Sequence, residues 1–304
     1  MKSSDLRRVE WPTMLVAAII YGGWLAVVFN HEALGTPLAM GLLALLITWQ
    51  GSLQHEVLHG HPFNGPVLNE ILGSVPINLR LPYRVYRRSH LRHHACGDLT
   101  DPATDTESFF VKASTWKRLP ASGRWFLLAH HTLLGRMLLG PLVENITVWR
   151  HSISEIRSGD GRLFRWWVAH LAQVALLLVL LVVVAGFPWL PYVLAVYVAN
   201  GLGLVRSYCE HQWVAGEETR SIVVGSRGFW ALLFLNNNLH DTHHEEPAVA
   251  WFRLPKLARS LGSAELAAQG AGCYSGYGEI FRKHLLRPFD HPVHPAERKL
   301  ESGI

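Results

Sequence analysis

The sequence predicts an all-α integral membrane protein with about four transmembrane helices and a cytoplasmic, histidine-rich helical cap. Hydrophobic residues make up 49% of the 304 residues and charged residues only 17%, whereas soluble domains usually contain about 25% charged residues. Four apolar segments, three of them 17 to 21 residues long, predict helices that cross a bilayer. In addition, nine of the 18 histidines fall in a few short motifs, and charge patterning assigns all of these motifs to one side of the membrane.

The four apolar segments predict the transmembrane helices, since three of them have 17 to 21 residues and suit a hydrocarbon core about 30 Å thick. The fourth, with 14 residues, is marginal in length. The four segments lie at residues 12–29, 37–53, 166–186 and 192–205. Two other apolar stretches are interrupted by polar residues or proline. Residues 66–81 are interpreted as an interfacial or re-entrant helix, and residues 125–143 as a helix lying in the membrane interface. No repeat or linker is visible. We therefore expect one domain over residues 1–304, with a core at about 12–255 and a polar tail at about 256–304.

The distribution of basic residues predicts the topology. The loops between the paired spans, residues 30–36 and 187–191, contain no Lys or Arg. The positive-inside rule therefore assigns both termini and residues 54–165 to the cytoplasm. The formal net charge of +5 then reflects cytoplasmic loops, and no nucleic-acid partner is expected. The three cysteines, at positions 96, 209 and 273, are too scattered for a disulfide framework.

Three histidine motifs supply eight candidate metal ligands. The first pair is spaced i, i+4 directly after the second span, and each later motif is spaced i, i+3, i+4. A helix places either spacing on one face. Imidazole suits iron, zinc, copper and nickel, and eight nitrogen donors are too many for one ion but suit two. The candidates are His55, His59, His90, His93, His94, His240, His243 and His244.

A ninth candidate ligand, His211, follows the fourth span on the same predicted side. Asp98, Asp101, Asp105 and Glu107 follow the second motif, and two interpretations stay open for them: they orient ligand imidazoles, or they form a solvated loop. For residues 236–238, three asparagines before the third motif, an orienting role and a turn are equally open. For His61 a structural role and an orienting role are both open. The other histidines without ligand spacing are predicted to be structural: His31, His130, His131, His151, His170, His284, His291 and His294.

The first motif has a rival interpretation. The segment from His55 to His59 also matches HExxH, in which Glu56 would act as the general base of a zinc metalloprotease. That function would use two histidines and leave at least six clustered ones without a role. A soluble carboxylate-type di-iron bundle is disfavoured as well, because it needs a second Glu-x-x-His and the chain has none.

The motifs and their surroundings resemble the membrane fatty-acid desaturase superfamily over about residues 55–255. The resemblance is carried by HEVLHGHPFN from His55, YRRSHLRHH from Tyr86 and DLTDPATDTES from Asp98. It also includes NNNLHDTHHEEPAVAWFRLP from Asn236, whose closing pattern is similar to bacterial acyl-lipid desaturases. His211 matches an extra histidine after the fourth helix in structurally known relatives. The asparagine that these relatives have four residues earlier is Ser207 here.

The resemblance implies an oxygen-dependent desaturase of fatty acyl chains, either lipid-linked or thioester-linked. It implies two iron ions held by the eight motif histidines and His211, with dioxygen as co-substrate and no catalytic residue beyond the ligands. Electrons would come from a separate protein, with a ferredoxin as the expected class, and the location would be a bacterial inner membrane. Hydroxylation of a lipid, alkane or carotenoid on the same scaffold is the alternative activity.

Overall fold

A computed structural model describes residues 10–216 and 220–302 of the chain. Contacts divide the chain into two compact units. Unit 1 contains residues up to Arg87 together with Pro141–Gly203, and unit 2 contains Arg88–Gly140 and residues from Leu204 onward. The single domain stays a prediction. Residues 1–9 and 303–304, which the charge pattern assigns to the cytoplasm, lie outside the described residues.

Four helices are long and apolar enough to cross a membrane, as predicted. They span Trp11–Phe29, Thr36–Leu58, Gly161–Val184 and Trp189–Ser207. Each is longer than its predicted apolar segment. The second helix exceeds its predicted segment by the most residues, because the first histidine motif continues the same helix. The helices of unit 1, including three that end or begin in unit 2, are α1 (Trp11–Phe29), α2 (His31–Leu34), α3 (Thr36–Leu58), α4 (Pro66–Gly73), α5 (Tyr83–His94), α8 (Leu133–Arg157), α9 (Gly161–Leu178) and α10 (Trp189–Ser207).

A few hydrogen bonds join the helices within the apolar interior of unit 1. Trp24 of α1 donates its indole N–H to the hydroxyl of Tyr192 on α10, at 3.1 Å. That hydroxyl in turn donates to the carbonyl of Ile77, at 2.6 Å. Thr48 on α3 donates to the carbonyl of Ala199 on α10, at 3.1 Å. Such bonds supplement van der Waals packing between membrane helices, where the hydrophobic effect contributes little.

The third span differs from the others, because few of its side chains are buried. Within α9 only Leu163, His170 and Leu177 are buried. The helix continues as a π-helical segment, Val179–Val184, in which Leu181 alone is buried. A π-helix has i→i+5 bonds and is wider than an α-helix. Most of this span therefore faces outward from unit 1.

Unit 2 is also mainly helical, but it contains a small sheet that the all-α prediction did not include. The strands β1 (Val223–Val224) and β2 (Cys273–Tyr274) pair in parallel. The tail after residue 255 is polar in composition, yet it buries Tyr277, Ile280 and Val293. The helices that lie within unit 2 are α6 (Ala113–Arg118), α7 (Ala121–His130), α11 (Phe229–Leu233), α12 (His240–Glu245), α13 (Leu254–Leu261), α14 (Ser263–Gln269), α15 (Tyr277–His284) and α16 (Pro295–Ser302).

The two stretches predicted as interfacial helices are both interrupted. The first contains only α4, after which the chain turns. The second contains parts of two helices, α7 and α8, which are bent by 110° relative to each other and together qualify as a broken span or a re-entrant pair. The bend coincides with close backbone packing, since a Cβ added at Gly135 would lie 1.8 Å from the carbonyl oxygen of Ala129.

Replacing Gly135 by alanine is therefore expected to destabilise unit 2 by about 1–3 kcal/mol, the usual cost of overpacking. The clash is with backbone, so the bend itself must open to relieve it. The midpoint of unfolding in detergent measures the effect. Gly203→Ala is the matched control, because no atom lies within 4 Å of its added Cβ. A Gly135→Ala protein as stable as Gly203→Ala would contradict this account.

Candidate metal centre

The first histidine motif lies at the end of α3. His55 is buried, with 4% of its surface exposed, and its ring centroid is 5.1 Å from that of His59. The helix ends at Leu58, and Gly60 follows with φ +102°, a backbone conformation that glycine adopts without strain. The i, i+4 spacing therefore places the two imidazoles side by side, as predicted.

Glu56 lies in a different group of side chains. Its carboxylate, the Glu10 carboxylate and a ring nitrogen of His61 all lie within 4.8 Å of one another. His61 Nδ1 is 2.9 Å from the Glu10 carboxylate, which agrees with the predicted structural role of this histidine. The zinc protease interpretation requires Glu56 to act on a water bound by His55 and His59. Its position beside a second carboxylate and another imidazole does not favour that function.

The second motif occupies the last two turns of α5, and its histidines are deeply placed. His90 and His93 each expose 1% of their surface. The third motif begins α12, where His240 and His243 are also buried. Neither motif contains glycine or proline, so a helical turn can present the i, i+3 and i+4 side chains together. The two motifs lie in unit 2.

One group of ring nitrogens, called cluster A, consists of His90, His94 and His243. The Nε2 atom of His94 lies 3.0 Å from that of His90 and 3.2 Å from that of His243. The rings of His94 and His243 are nearly perpendicular, at 86°. Cluster A thus combines two residues of the second motif with one of the third.

A second group, called cluster B, consists of His93, His211, His240 and His244. The Nε2 atom of His211 lies 2.9 Å from that of His93 and 3.0 Å from that of His240. The Nε2 atoms of His244 and His240 are 3.1 Å apart. All four candidate ligand atoms lie within 4.8 Å of one another. The structure thus brings His211, the ninth candidate, together with residues of both later motifs.

The donor sets fit metal ions. A metal–imidazole bond is about 2.0–2.1 Å long, so two imidazole nitrogens at right angles on one ion are about 3 Å apart. The Nε2 separations in both clusters match this value. All-imidazole donors suit iron, zinc, copper or nickel and not calcium or magnesium, which prefer oxygen.

Carboxylates fix the opposite ring nitrogens of two of these histidines. His90 Nδ1 is 2.8 Å from a carboxylate oxygen of Glu107, and His93 Nδ1 is 2.7 Å from one of Asp105. A carboxylate accepts a hydrogen bond from Nδ1–H, and in a neutral imidazole this places the unprotonated lone pair on Nε2. Both Nε2 lone pairs are then directed into their clusters, the arrangement that second-sphere carboxylates produce around metal ligands.

The segment Asp98–Ser108, called the acidic loop, supplies these carboxylates. Asp105 also accepts the backbone N–H groups of Thr100, at 2.8 Å, and Glu107, at 2.9 Å. Asp101 accepts those of Ala103 and Thr104. Asp98 pairs with Arg220 near the surface. The sequence left the role of the four acidic residues open. In the structure Glu107 and Asp105 contact histidine rings, whereas Asp101 and Asp98 hold the loop in place.

Glu210 is a contact of cluster B that the sequence reasoning missed. Its carboxylate is buried and lies 3.6 Å from His240 Nδ1 and 3.3 Å from Arg206 Nε. Asn237 donates to it at 2.9 Å. Burial raises the pKa of Glu210, and Arg206 opposes this by lowering it. An acidic residue directly before His211 was the available signal, but sequence alone does not show that it faces His240.

Asn237 therefore has an orienting contact, whereas its neighbours form the turn. Asn236 adopts φ +56° and donates to the carbonyl of Trp251, and Asn238 donates to that of Val224. The buried hydroxyl of Ser207 has no hydrogen-bond partner among the described residues. The turn thus accounts for Asn236 and Asn238, and Asn237 contacts Glu210, which in turn faces His240.

The electrostatics of the clusters favour a neutral imidazole at His94 and at His211 and a protonated one at His93. Burial, together with the charges of His90 and His93, lowers the pKa of His94 to about 3. Burial also lowers the pKa of His211 to about 3. Burial acts in the same direction on His93, but Glu107 and Asp105 outweigh it and raise the pKa of His93 to about 9. Neutral rings are the form in which imidazole binds metals.

The remaining histidines belong to neither cluster. His31 Nδ1 contacts the carbonyl oxygen of Val28 at 2.9 Å. His131 Nε2 contacts the carbonyl oxygen of Phe109 at 3.1 Å. Burial beside Arg136 lowers the pKa of His130 to about 2. These contacts are of the structural kind predicted from the absence of ligand spacing. The others outside the clusters are His151, His170, His284, His291 and His294.

Four apolar helices and two sets of converging imidazoles define a class: integral membrane proteins with candidate multi-histidine metal centres. The Fatty acid desaturase family model matches residues 33–277, so the chain belongs to that family. The resemblance to the fatty-acid desaturase superfamily is thereby confirmed, and family membership implies an oxidoreductase. A search of curated proteins finds no significant match.

Proposed function

We propose that the protein is an oxygen-dependent, di-iron desaturase of fatty acyl chains. The observation that carries the proposal is the presence of two separate sets of Nε2 atoms at metal-ligand spacing, cluster A and cluster B, in a chain of the desaturase family. One set would suit a single-metal hydrolase, whereas two suit a pair of redox metals. Two of the Nε2 atoms are directed inward by the carboxylates of Asp105 and Glu107.

The proposed ligands are the nine predicted histidines. Cluster B already has four converging donors, which is a complete set for many metal sites. Cluster A has three, and we propose that the two histidines of the first motif, His55 and His59, are metal ligands as well. The support is the number of donors and the i, i+4 geometry of the pair on α3, together with family membership.

Bound iron would supply the activation of dioxygen that removal of hydrogen from an unactivated methylene requires, chemistry that amino-acid side chains do not provide. The chain's own residues hold the imidazoles in place. Asp105 and Glu107 keep Nδ1 of His93 and His90 protonated, and Glu210 faces Nδ1 of His240. We propose an acyl chain, lipid-linked or thioester-linked, as the substrate; the apolar spans and the family support it.

We further propose that the termini and all histidine motifs are cytoplasmic and that the membrane is a bacterial inner membrane. The charge pattern supports this topology, because residues 30–36 and 187–191 contain no Lys or Arg. Electrons would come from a separate protein, with a ferredoxin as the proposed class. The sequence carries no flavin fingerprint or ferredoxin-type cysteine set that would supply them internally.

Metal and product analysis test the proposal together. The protein purified after expression with iron is expected to hold about two iron ions per chain, the number that its imidazole donors suit. Membrane lipids of the expressing cells are expected to contain acyl chains lighter by two hydrogen atoms, measured by mass spectrometry. A single zinc ion per chain would refute the oxygenase. A product heavier by one oxygen atom would instead identify the hydroxylase.

A further inference from the structure

The acidic loop is fastened to a segment far away in the sequence. Val111, shortly after the loop, pairs in parallel with Val293. Its N–H donates to the carbonyl of Pro292 at 2.8 Å, and its carbonyl accepts the N–H of His294 at 3.3 Å. A carboxylate oxygen of Glu297 accepts the N–H of Ala113 at 2.5 Å. The tail of the chain therefore packs along residues 111–113, the segment that follows the acidic loop.

Within the acidic loop, Thr100 adopts an unfavourable backbone conformation. Its φ is +78°, a region that β-branched residues seldom occupy because it is strained. Such a conformation persists only when its surroundings determine it. Here the N–H of Thr100 donates to Asp105 at 2.8 Å, and its carbonyl accepts the hydroxyl of Ser108 at 2.5 Å.

The third bond of Thr100 reaches the tail. Its hydroxyl is joined to Nε2 of His294 at 3.1 Å, and both residues are buried. The imidazole is held between the rings of Phe110 and Trp213, with centroids 5.2 and 5.8 Å away. Both rings stand nearly perpendicular to it. The aromatic contacts fix the orientation of the imidazole, and the hydrogen bond transmits that orientation to Thr100.

We propose that His294 is a positioning residue for cluster B, acting on His93 through Thr100 and Asp105. The connection is continuous: His294 Nε2 to the Thr100 hydroxyl, Thr100 N–H to one oxygen of Asp105, and the other oxygen to His93 Nδ1 at 2.7 Å. His93 Nε2 then faces His211 within the cluster. The inference rests on the proposed function, since it assigns cluster B to a metal ion.

A purely structural role predicts a different result from a positioning role. If His294 only fills space, its removal lowers overall stability and affects both clusters equally. If it holds Thr100, its removal releases Asp105 first, and the affinity of cluster B for metal falls. Outer-sphere partners of metal ligands typically change affinity by about 10- to 100-fold. Because His294 acts through two further residues, we expect about tenfold, the lower end of that range.

The experiment compares His294→Ala with His294→Gln, whose amide can restore a hydrogen bond to Thr100. Thr100→Val and Thr100→Ser form the second pair, which removes or keeps the hydroxyl. His284→Ala is the matched control, since this tail histidine contacts the hydroxyl of Tyr274 at 3.2 Å. Two properties of the full-length protein are measured in detergent: hydrogen exchange of residues 98–111, and affinity for zinc, a redox-inert probe, in competition with a chelator.

We expect His294→Ala and Thr100→Val to accelerate exchange in the loop and to weaken one of two zinc sites by about tenfold. His294→Gln, Thr100→Ser and His284→Ala are expected to behave like the wild type. Wild-type zinc affinity in His294→Ala overturns the proposal, even if exchange is faster. Equal weakening of both sites overturns it too. Failure of the proposed function is separate, because it would appear as missing iron or missing product in the wild type.

Discussion

Replacing His240 by alanine is expected to abolish desaturation and to remove one of the two metal ions. His240 is 2% exposed, and its Nε2 lies 3.0 Å from that of His211 and 3.1 Å from that of His244. Removing it leaves three donors and an open position in the centre of cluster B. It also removes the imidazole that the buried Glu210 carboxylate faces, although Arg206 and Asn237 still contact that carboxylate.

The measurement is the iron content per chain together with the amount of unsaturated product. Retained activity in His240→Ala would refute the assignment of cluster B as a metal site. His151→Ala is the matched control, because this histidine of α8 is exposed and lies outside both clusters. It is expected to keep both metal ions and normal product formation.

Replacing Asp105 by asparagine is expected to lower metal affinity by about 10- to 100-fold, the usual effect of losing a second-sphere carboxylate. The two side chains have nearly the same size, so packing is kept. The carboxylate accepts three N–H groups, from His93 and Glu107 on one oxygen and from Thr100 on the other. An amide has a single acceptor oxygen. In either orientation of the asparagine, its NH₂ group therefore faces a donor.

Loss of charge acts in the same direction as loss of the acceptor. The Asp105 carboxylate is one of the groups that raise the pKa of His93, which shows that it stabilises positive charge on this ring. A metal ion on His93 would be stabilised likewise. Metal retention during dialysis against a chelator measures the effect. Asp98→Asn is the matched control, because Asp98 is 55% exposed in its pair with Arg220, and exposed pairs contribute at most about 1 kcal/mol.

An Asp98→Asn protein that loses metal as readily as Asp105→Asn would contradict the second-sphere role. It would show that the net charge of the acidic loop matters and that the individual contacts of Asp105 do not.

The parts of the fold that follow from local sequence pattern could be predicted. Each span is a continuous apolar segment, and the bilayer permits few alternatives to a helix there. The histidine spacing within each motif likewise determines which rings share a helical face. For this reason the four candidate spans were located correctly, and the rings of each later motif lie close together as expected.

The contacts that depend on distant packing could not be predicted. Glu210 is adjacent to His211 in sequence, but only the fold shows that it faces His240. The tail after residue 255 is polar in composition, yet His294 is buried against Thr100, 194 residues earlier. The choice between Asp105 and Asp98 as the orienting acid depends on the turns of the acidic loop. Local sequence gives no preference between two aspartates of one loop.

The third span has a consequence for how the sequence of such a chain can change over time. Its outward side chains, such as Leu176 and Val183, are 71% and 75% exposed, so they have little shape complementarity to preserve. Exchange among leucine, valine and isoleucine there alters no packed interior and leaves the backbone bonds of the helix intact. Drift of residue identity at constant hydrophobicity is therefore expected along this helix. The buried Leu163 and Leu177 on its inner face are far less free to vary.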